Sequence, residues 1–332
     1  MKAHKPTNVK YHNLEMLRQI FRSGASFSSK ELSERTGLSV VSINKLLIDL
    51  KESGEVITQE EAVVTGGRRA TVYRYNPNVK QLLILQFAEA GTDMAGHLFV
   101  HNLFGEIINQ WLLTADELAL EPLKQKIHQI LNEYPAIELL VFGIPGAELE
   151  GKLQIMDFEP LYNLNFRQLM EDEFSLAVLI ENDINAATLS HSLNQATQDI
   201  FVSLYYPKNY PPGAGIVING KIFHGKHGLS GEIKHLPLEH QGVFPKDFAS
   251  LEKQIEEVLQ TIISMYDPTQ IVVYTNVTQF SEIVLQEIRT RLKTIFPYFE
   301  LPEIRLAKTF QEDYLNGLVH LGLNYLISKE KR

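Results

Sequence analysis

The residues with the clearest chemical potential stand together at the end of an apolar run. In "LAVLIENDINAAT", Glu181, Asn182 and Asp183 directly follow a stretch typical of a buried strand, and Asn185 comes two residues later. Such carboxylates and amides can hydrogen-bond a hydroxyl-rich ligand, and a carboxylate can also act as a general base. Ligands collect at the carboxyl ends of strands in open α/β sheets, so the cluster is expected to face a cleft. The alternative is that Asn182 and Asp183 only cap the following helix.

Composition limits the classes of protein to which the chain could belong. It has 332 residues, of which 44% are hydrophobic, a formal net charge of -9 and no cysteine. The absence of cysteine excludes disulfides and thiolate metal sites. No apolar run approaches the roughly 18 residues of a membrane span, and the first residues lack the apolar core of a signal peptide. We therefore expect a cytoplasmic protein of two or three domains without a membrane partner.

Residues 1–78 show the pattern of a small helical domain with a hairpin. Apolar residues at helical spacing precede Gly24, and Ser28 with Glu31 forms a capping box at the start of a second helix. Gly37 provides a turn, and a third helix follows the cap residue Ser39. Two short strands then flank a glycine-rich loop. This order predicts an N-terminal winged helix-turn-helix.

Two groups of residues in this domain suit DNA. Short polar and basic side chains begin the third helix, where they could read base edges in the major groove: Ser39, Ser42, Asn44 and Lys45. The hairpin tip carries two glycines and two arginines that suit a narrow minor groove: Gly66, Gly67, Arg68 and Arg69. Residues 1–80 hold 13 Lys and Arg against 8 Asp and Glu, which favours a polyanionic partner. The alternative is a small helical domain with a solvated face.

The remainder of the chain predicts an α/β body in two lobes. Asn76-Pro77-Asn78 marks the boundary, and strands then alternate with helices in two halves without a visible sequence repeat. "IELLVFGIPG" and "QIVVYTNV" are typical of buried strands. Asn219-Gly220 is a strong two-residue hairpin signal. We assign residues 79–190 to a first lobe and 191–311 to a second, and expect the C-terminal helix at about 312–332 to pack back on the first.

Together these stretches resemble the ROK family, which groups sugar-responsive repressors with sugar kinases on an actin-like, ribonuclease H-like fold. "GIPG", "ENDINAA", "GAGIVINGKIFHG", "SGEIKH", "SLE" and "DPTQIVV" stand in the family's order. The N-terminal winged helix is similar to that of the repressor branch, typified by xylose repressors. The resemblance covers nearly the whole chain.

The resemblance implies a set of sugar-binding residues. In family kinases an Asn-Asp pair binds sugar hydroxyls, and its Asp activates the attacking one; here the pair is Asn182 and Asp183. The family's next contacts match Glu232 and His235 of "SGEIKH", although Lys234 replaces a glycine there. A later contact matches Glu252. Gly146 of the Gly-Ile-Pro-Gly turn is a further candidate.

Three departures from the kinases argue against bound ATP. "FAEAGTD" lacks the spacing of the first phosphate loop, and "YYPKNYPPGAG" replaces the second with prolines, which have no N–H to offer phosphate. Tyr274-Thr275-Asn276 stands where kinases have a double glycine near adenosine. Without a phosphoryl donor a base has no reaction to serve, so Asp183 is expected to hold a hydroxyl. The family zinc site needs three cysteines and is lost, so we expect neither a metal nor another cofactor.

The resemblance and the departures from it together imply a homodimeric, non-enzymatic transcriptional regulator. It is expected to bind operator DNA, to repress carbohydrate genes and to respond to a sugar or sugar phosphate held between its lobes. Two alternatives stay open: a sugar kinase with a DNA-binding head, and a repressor controlled by a protein partner.

Overall fold

The computed structural model describes residues 6–61, 70–90, 93–156, 158–193, 199–238 and 247–330. Among these residues, no helix is both long enough and apolar enough to cross a membrane.

The N-terminal part consists of three helices and a small antiparallel sheet. Its helices are α1 (Pro6–Phe21), α2 (Ser29–Thr36) and α3 (Val40–Glu52). The strands β1 (Phe27–Ser28), β2 (Val56–Glu61) and β3 (Ala70–Tyr75) pair in the order β1-β3-β2. The predicted capping box is present: the Ser28 side chain accepts from the Glu31 N–H while Glu31 accepts from the Ser28 N–H. Gly37 ends α2 in the left-handed conformation, which glycine adopts without steric cost.

The first half of the body is a five-stranded sheet with its helices. In chain order its elements are β4 (Gln81–Ala90), β5 (Asp93–Asn102), β6 (Ile107–Leu113), α4 (Leu120–Glu133), β7 (Ile137–Ile144), β8 (Gly146–Leu149), β9 (Lys152–Met156), α5 (Phe166–Phe174), β10 (Ala177–Asn182) and α6 (Asp183–Ser192). The sheet order is β10-β7-β4-β5-β6, and β8 with β9 forms a separate hairpin. β10, β7 and β4 run parallel, so the ends of β7 and β10 meet at one edge.

The second half repeats this plan. Its elements are β11 (Ile200–Tyr206), β12 (Gly213–Ile218), β13 (Lys221–Ile222), α7 (Phe248–Tyr266), β14 (Gln270–Thr275), α8 (Glu282–Ile295), β15 (Glu303–Ala307) and α9 (Phe310–Glu330). The sheet order is β13-β12-β11-β14-β15. In both sheets three consecutive antiparallel strands are followed by two parallel ones, added on the side of the first strand. The two lobes therefore share one topology that the sequence did not reveal.

Helices α6 and α9 join the two halves by close backbone contact. A Cβ on Gly317 of α9 would lie 1.9 Å from the carbonyl oxygen of Ala186 in α6. On its other side α6 meets β12, where a Cβ on Gly215 would lie 2.5 Å from the Ile184 carbonyl oxygen. α9 also packs on the first sheet, because Gly322 lies against Leu82 of β4. Side chains would hold these elements apart, so glycine is required for the contacts.

The N-terminal part meets the body at the β5–β6 turn, Leu103–Gly105. The Phe104 ring stacks on Tyr75, with ring centroids 6.0 Å apart, and the Leu103 N–H donates to the Pro77 carbonyl at 2.9 Å. On the body side, Gly105 lies against Val319 of α9, which its Cβ would approach to 3.3 Å. The turn is thus held between the N-terminal part and α9.

The α6–α9 contact generates a stability prediction. In an open helix Gly→Ala is stabilising, by about 1 kcal/mol on helix propensity alone. At Gly317 the added methyl group meets the Ala186 carbonyl, so Gly317→Ala should instead destabilise the protein by roughly 1–3 kcal/mol. Urea unfolding of the two proteins measures the difference.

Asn316→Ala, at the exposed neighbouring position on α9, is the matched control and should be close to neutral. A Gly317→Ala protein as stable as the wild type would show that α6 and α9 are not in backbone contact.

Candidate functional site

A cleft of about 880 Å³ is lined by residues from both halves of the body. The first half contributes the ends of β7 and β10, the β8–β9 hairpin and the start of α6, and the second half contributes the 205–214 segment and the loop after β13. Of the predicted sugar-binding residues, the cleft brings together Gly146, Asn182, Asp183 and Glu232. The strand-end cluster thus faces a cleft, as its position predicted.

Asn182 has a structural role that uses both polar atoms of its side chain. Its Oδ1 accepts from the Asn185 N–H at 3.2 Å, which caps α6, and its Nδ2 donates to the Gly146 carbonyl at 3.0 Å. The cap satisfies one of the free N–H groups at the helix start. The capping alternative is therefore present at Asn182, and its contact with a sugar stays a prediction.

Asp183 is the first residue of α6 and lines the cleft. Its Oδ1 accepts from the Ile184 N–H at 2.7 Å. Negative charge at the start of a helix is favoured by the helix dipole, which supports an ionised carboxylate here. Such a group can accept hydrogen bonds from ligand hydroxyls.

Gly146 lets two backbone segments approach each other beside this corner. A Cβ at this position would lie 2.0 Å from the Ile155 carbonyl oxygen across the β8–β9 hairpin. The glycine is therefore explained by close packing, and its carbonyl holds Asn182.

The remaining predicted contacts lie in different surroundings. Glu232 lines the cleft, and its Oε2 lies 3.3 Å from the Lys234 Nζ. His235 is exposed at the end of a short 3-10 helix and does not line the cleft. Glu252, on α7, pairs with Arg291 of α8 at 2.6 Å and is also outside the lining. The structure does not bring His235 and Glu252 to the other four, and their sugar contacts stay predictions.

Glu181 and His224 also line the cleft, although Glu181 was predicted only as part of the strand-end cluster and His224 was not predicted at all. Glu181 is 9% exposed, and its Oε2 lies 2.9 Å from the His224 Nε2. Hydrogen bonding to Glu181 raises the pKa of His224 above its usual value, against the opposing effect of burial. The signal for Glu181 was a carboxylate at the end of a buried strand; His224 had no comparable signal.

An ion pair on the first lobe braces the cleft wall. Arg167 of α5 donates to Glu148 of β8 through Nη2 at 2.7 Å and Nε at 3.0 Å, and its Nη1 bonds the Val178 carbonyl at 2.5 Å. Two parallel bonds to a carboxylate fix orientation as well as distance. This contact ties the β8–β9 hairpin to β10.

The three stretches that depart from the kinase pattern meet in the cleft at Glu89. Its Oε2 accepts from the Asn276 Nδ2 at 2.9 Å, and its Oε1 accepts from the Asn209 N–H at 3.2 Å. Asn276 also donates to the Tyr205 hydroxyl at 3.1 Å, and the Tyr205 ring stacks on Phe310. A carboxylate, prolines and aromatic rings therefore occupy this part of the cleft.

The predicted DNA-contacting residues at the start of α3 are on its outer side. Ser39 caps the helix by accepting from the Ser42 N–H at 3.1 Å, and the Asn44 Oδ1 accepts from the Ser29 hydroxyl at 2.7 Å. Lys45 is exposed, and so is Val41, which the sequence reasoning did not select. The predicted hairpin-tip residues lie outside the described residues: Gly66, Gly67, Arg68 and Arg69.

The double role of Asn182 generates a prediction. Asn182→Ala removes the cap and the bond to Gly146, and should cost roughly 0.5–2 kcal/mol in free energy of unfolding. Asn182→Ser retains an acceptor for the Asn185 N–H and should lose distinctly less. Urea unfolding distinguishes the two variants; equal losses would show that capping does not stabilise α6.

Comparison with known proteins agrees with this architecture. The model of the ROK family matches residues 90–247. The xylose repressor of Caldicellulosiruptor bescii is 24% identical over 225 residues, which covers 64% of this chain and 55% of that protein. The DNA-binding transcriptional dual regulator NagC of Escherichia coli K12 is 25% identical over 241 residues, covering 70% and 59%. The chain thus spans a little over half the length of these relatives.

Solved structures show the same fold. The crystal structure of a ROK family transcriptional regulator, a homologue of the E. coli MLC protein, superposes with a TM-score of 0.61 at 17% identity, covering 95% of this chain and 99% of that one. ROK sugar kinases match as well, with TM-scores of 0.54 and 0.56 for two of them. The ROK family model thus matches residues 90–247, and the mixed α/β fold of the chain is the one that these structures share.

Proposed function

We propose that the protein is a sequence-specific transcriptional regulator, a repressor of carbohydrate-utilisation genes, whose cleft binds a sugar without phosphorylating it. The observation that carries this proposal is the composition of the cleft. Asn182, Asp183 and Glu232 present the polar groups that a polyol needs, while Glu89 and its partners belong to the stretches that depart from the phosphate loops of the kinases.

The DNA-binding part of the proposal rests on the N-terminal helices. Three helices followed by a paired β2 and β3 have the order of a winged helix-turn-helix, with α3 as the recognition helix. Lys45 supplies charge for phosphate, and Val41, which is 67% exposed, supplies an apolar surface of the kind that contacts a thymine methyl group. Arg68 and Arg69, which lie outside the described residues, are assigned to the proposed interface from the sequence alone.

The effector part rests on the corner at the start of α6. One relative named above is a xylose repressor and the other is a transcriptional dual regulator, and other relatives are named N-acetylglucosamine repressors. Asp183 is proposed to accept a hydrogen bond from a sugar hydroxyl, with Asn182 and Glu232 beside it. We propose that the effector is either a neutral sugar or a sugar phosphate.

Electrostatics favours a binding role over a kinase role. A nucleotide in the remaining part of the cleft would bring its phosphates towards the carboxylate of Glu89, and like charges repel strongly in a partly buried site. Prolines at 207, 211 and 212 have no N–H groups to offset that repulsion. We therefore propose that the protein is not an enzyme and needs neither ATP nor zinc, although it shares its fold with sugar kinases.

Repression that responds to an effector requires a protein with two states, which bind DNA with different affinities. We propose a cytoplasmic homodimer in which two α3 helices reach successive major grooves, roughly 34 Å apart. Closure of the cleft would move α6 and α9, and the Leu103–Gly105 turn would pass that movement to the N-terminal part. The effector must bind one state more tightly, because equal affinities shift no equilibrium.

A thermal-shift screen tests the effector. D-xylose, N-acetyl-D-glucosamine, other neutral sugars and their phosphates are added to the protein. A true effector at a hundredfold excess over its Kd stabilises the folded state by about 2.7 kcal/mol, which raises the Tm. Asp183→Ala should abolish that shift.

Asp172→Ala removes an exposed carboxylate of α5 outside the cleft and is the matched control, which should keep the full shift. If no sugar changes the Tm of the wild type, the sugar proposal is wrong and control by a protein partner becomes the better explanation.

Incubation with ATP, magnesium and the same sugars tests the kinase alternative. We expect no transfer of phosphate. Turnover that disappears in Asp183→Asn would overturn the non-enzymatic proposal.

Phe104→Ala tests the route between the two parts. The change removes the stack on Tyr75, so effector and operator should each still bind while the effector loses most of its influence on operator affinity. Operator titrations with and without effector, measured by fluorescence anisotropy, give the coupling factor.

Tyr162→Ala, an exposed aromatic residue of the body, serves as the control. A Phe104→Ala protein with wild-type coupling would exclude the turn as the connection.

A further inference from the structure

The loop after β13 brings a histidine of the second lobe onto a buried carboxylate of the first. His224 Nε2 lies 2.9 Å from Glu181 Oε2. The His224 side chain is 51% exposed and lines the cleft, whereas the Glu181 side chain is 10% exposed. A carboxylate buried to this degree needs a charged or hydrogen-bonding partner, because desolvation otherwise penalises its charge.

His224 is fixed to the second sheet. The Phe223 N–H donates to the Ile216 carbonyl of β12 at 2.8 Å, and the Ser230 N–H donates back to the His224 carbonyl at 3.2 Å, which closes the loop. The far end of the loop is held by the bond from the Ala214 N–H to the Gly231 carbonyl at 2.8 Å. Movement of the second sheet therefore carries His224 with it.

Glu181 is fixed to the corner that we propose as the sugar site. Its Oε1 accepts from the Asn182 N–H at 2.9 Å and from the Asn185 Nδ2 at 3.1 Å. Asn185 in turn donates its N–H to the Asn182 side chain, which holds Gly146. One carboxylate thus orients the backbone immediately before Asp183.

We propose that His224 is a positioning residue. Through its contact with Glu181 it orients Asn182 and Asp183 for the effector, and it connects these two residues to the second lobe. The inference rests on the proposed sugar-binding function and adds a regulating contact to the same cleft. Neither residue needs to touch the sugar for this role.

The contact has a defined pH dependence. Hydrogen bonding to Glu181 raises the pKa of His224, so the charged pair is complete below the usual histidine value near 6.5 and is lost as pH rises through the raised value. Other charged and titratable groups that line the cleft must be separated from this effect: Asp183 on α6, Lys226 and His227 on the same loop, Glu232 and Lys234 beyond it, and Glu89, Glu148, Glu150 and Arg167 of the first half.

The first measurement needs no ligand. Histidine side-chain resonances and backbone amides of the full-length protein are followed by NMR from pH 5 to 9, with His224→Gln providing the assignment. We expect the Asn182 amide proton shift to titrate with the same midpoint as His224, and Glu181→Gln to lower that midpoint. A His224 midpoint unchanged in Glu181→Gln, or an Asn182 amide that does not follow it, would overturn the positioning role.

The second measurement is calorimetric titration with the neutral sugar that gives the largest thermal shift. Its Kd in the wild type should weaken by about tenfold between pH 6 and pH 8.5, as expected for loss of one hydrogen bond to a charged group. His224→Gln should bind with a Kd that is independent of pH over this range.

His128→Gln is the matched control, because His128 is an exposed histidine that also pairs with a carboxylate, Glu173, but lies outside the cleft lining. It should keep the wild-type pH profile. A pH dependence that survives in His224→Gln, or that is lost in His128→Gln, would refute the inference. If no sugar binds the wild type, the proposed function fails, and the ligand-free titration alone decides whether His224 positions the corner.

Discussion

Most of the structure depends on the close approach of α6 to its neighbours. Gly317 allows α9 to touch the backbone of α6 on one side, and Gly215 allows β12 to touch it on the other. Since α6 begins at Asn182 and Asp183, the same contacts that join the two halves also fix the polar corner of the cleft. Close-packed interiors tolerate few intermediate arrangements, so a change at this corner is expected to move whole elements rather than single side chains.

The sequence was most informative where one residue type has one physical use. The capping box at Ser28 and Glu31 and the Asn219-Gly220 hairpin are both confirmed, the latter with positive φ at both residues. The strand-end cluster was correctly expected to face a cleft because strand direction fixes which end carries the loops.

Features formed by residues that are distant in the chain could not be predicted from the sequence. The duplicated topology leaves no repeat in the sequence, because a sheet order is set by pairing and many side chains satisfy it. Glu181 and His224 are separated by 43 positions, and Glu252 meets Arg291 over 39. The resemblance gave residue types for Glu252 and His235 but not their surroundings, which depend on how α7, α8 and the neighbouring loops pack.

On the proposed function, binding and catalysis are separated on one fold. Carboxylate and amide groups line one part of the cleft, and Glu89, prolines and aromatic rings line another part. Binding energy in such a cleft would be available to shift the lobes rather than to stabilise a transition state.

The turn at Leu103–Gly105 has a consequence for engineering. It contacts the N-terminal part through the Phe104–Tyr75 stack and the Leu103–Pro77 hydrogen bond, and Leu103 and Phe104 also pack against the N-terminal hydrophobic core. A different N-terminal module that keeps the equivalents of Tyr75 and Pro77 would retain these contacts with the turn. On the proposed function, such an exchange would change the DNA sequence that is bound and leave the effector-binding body intact.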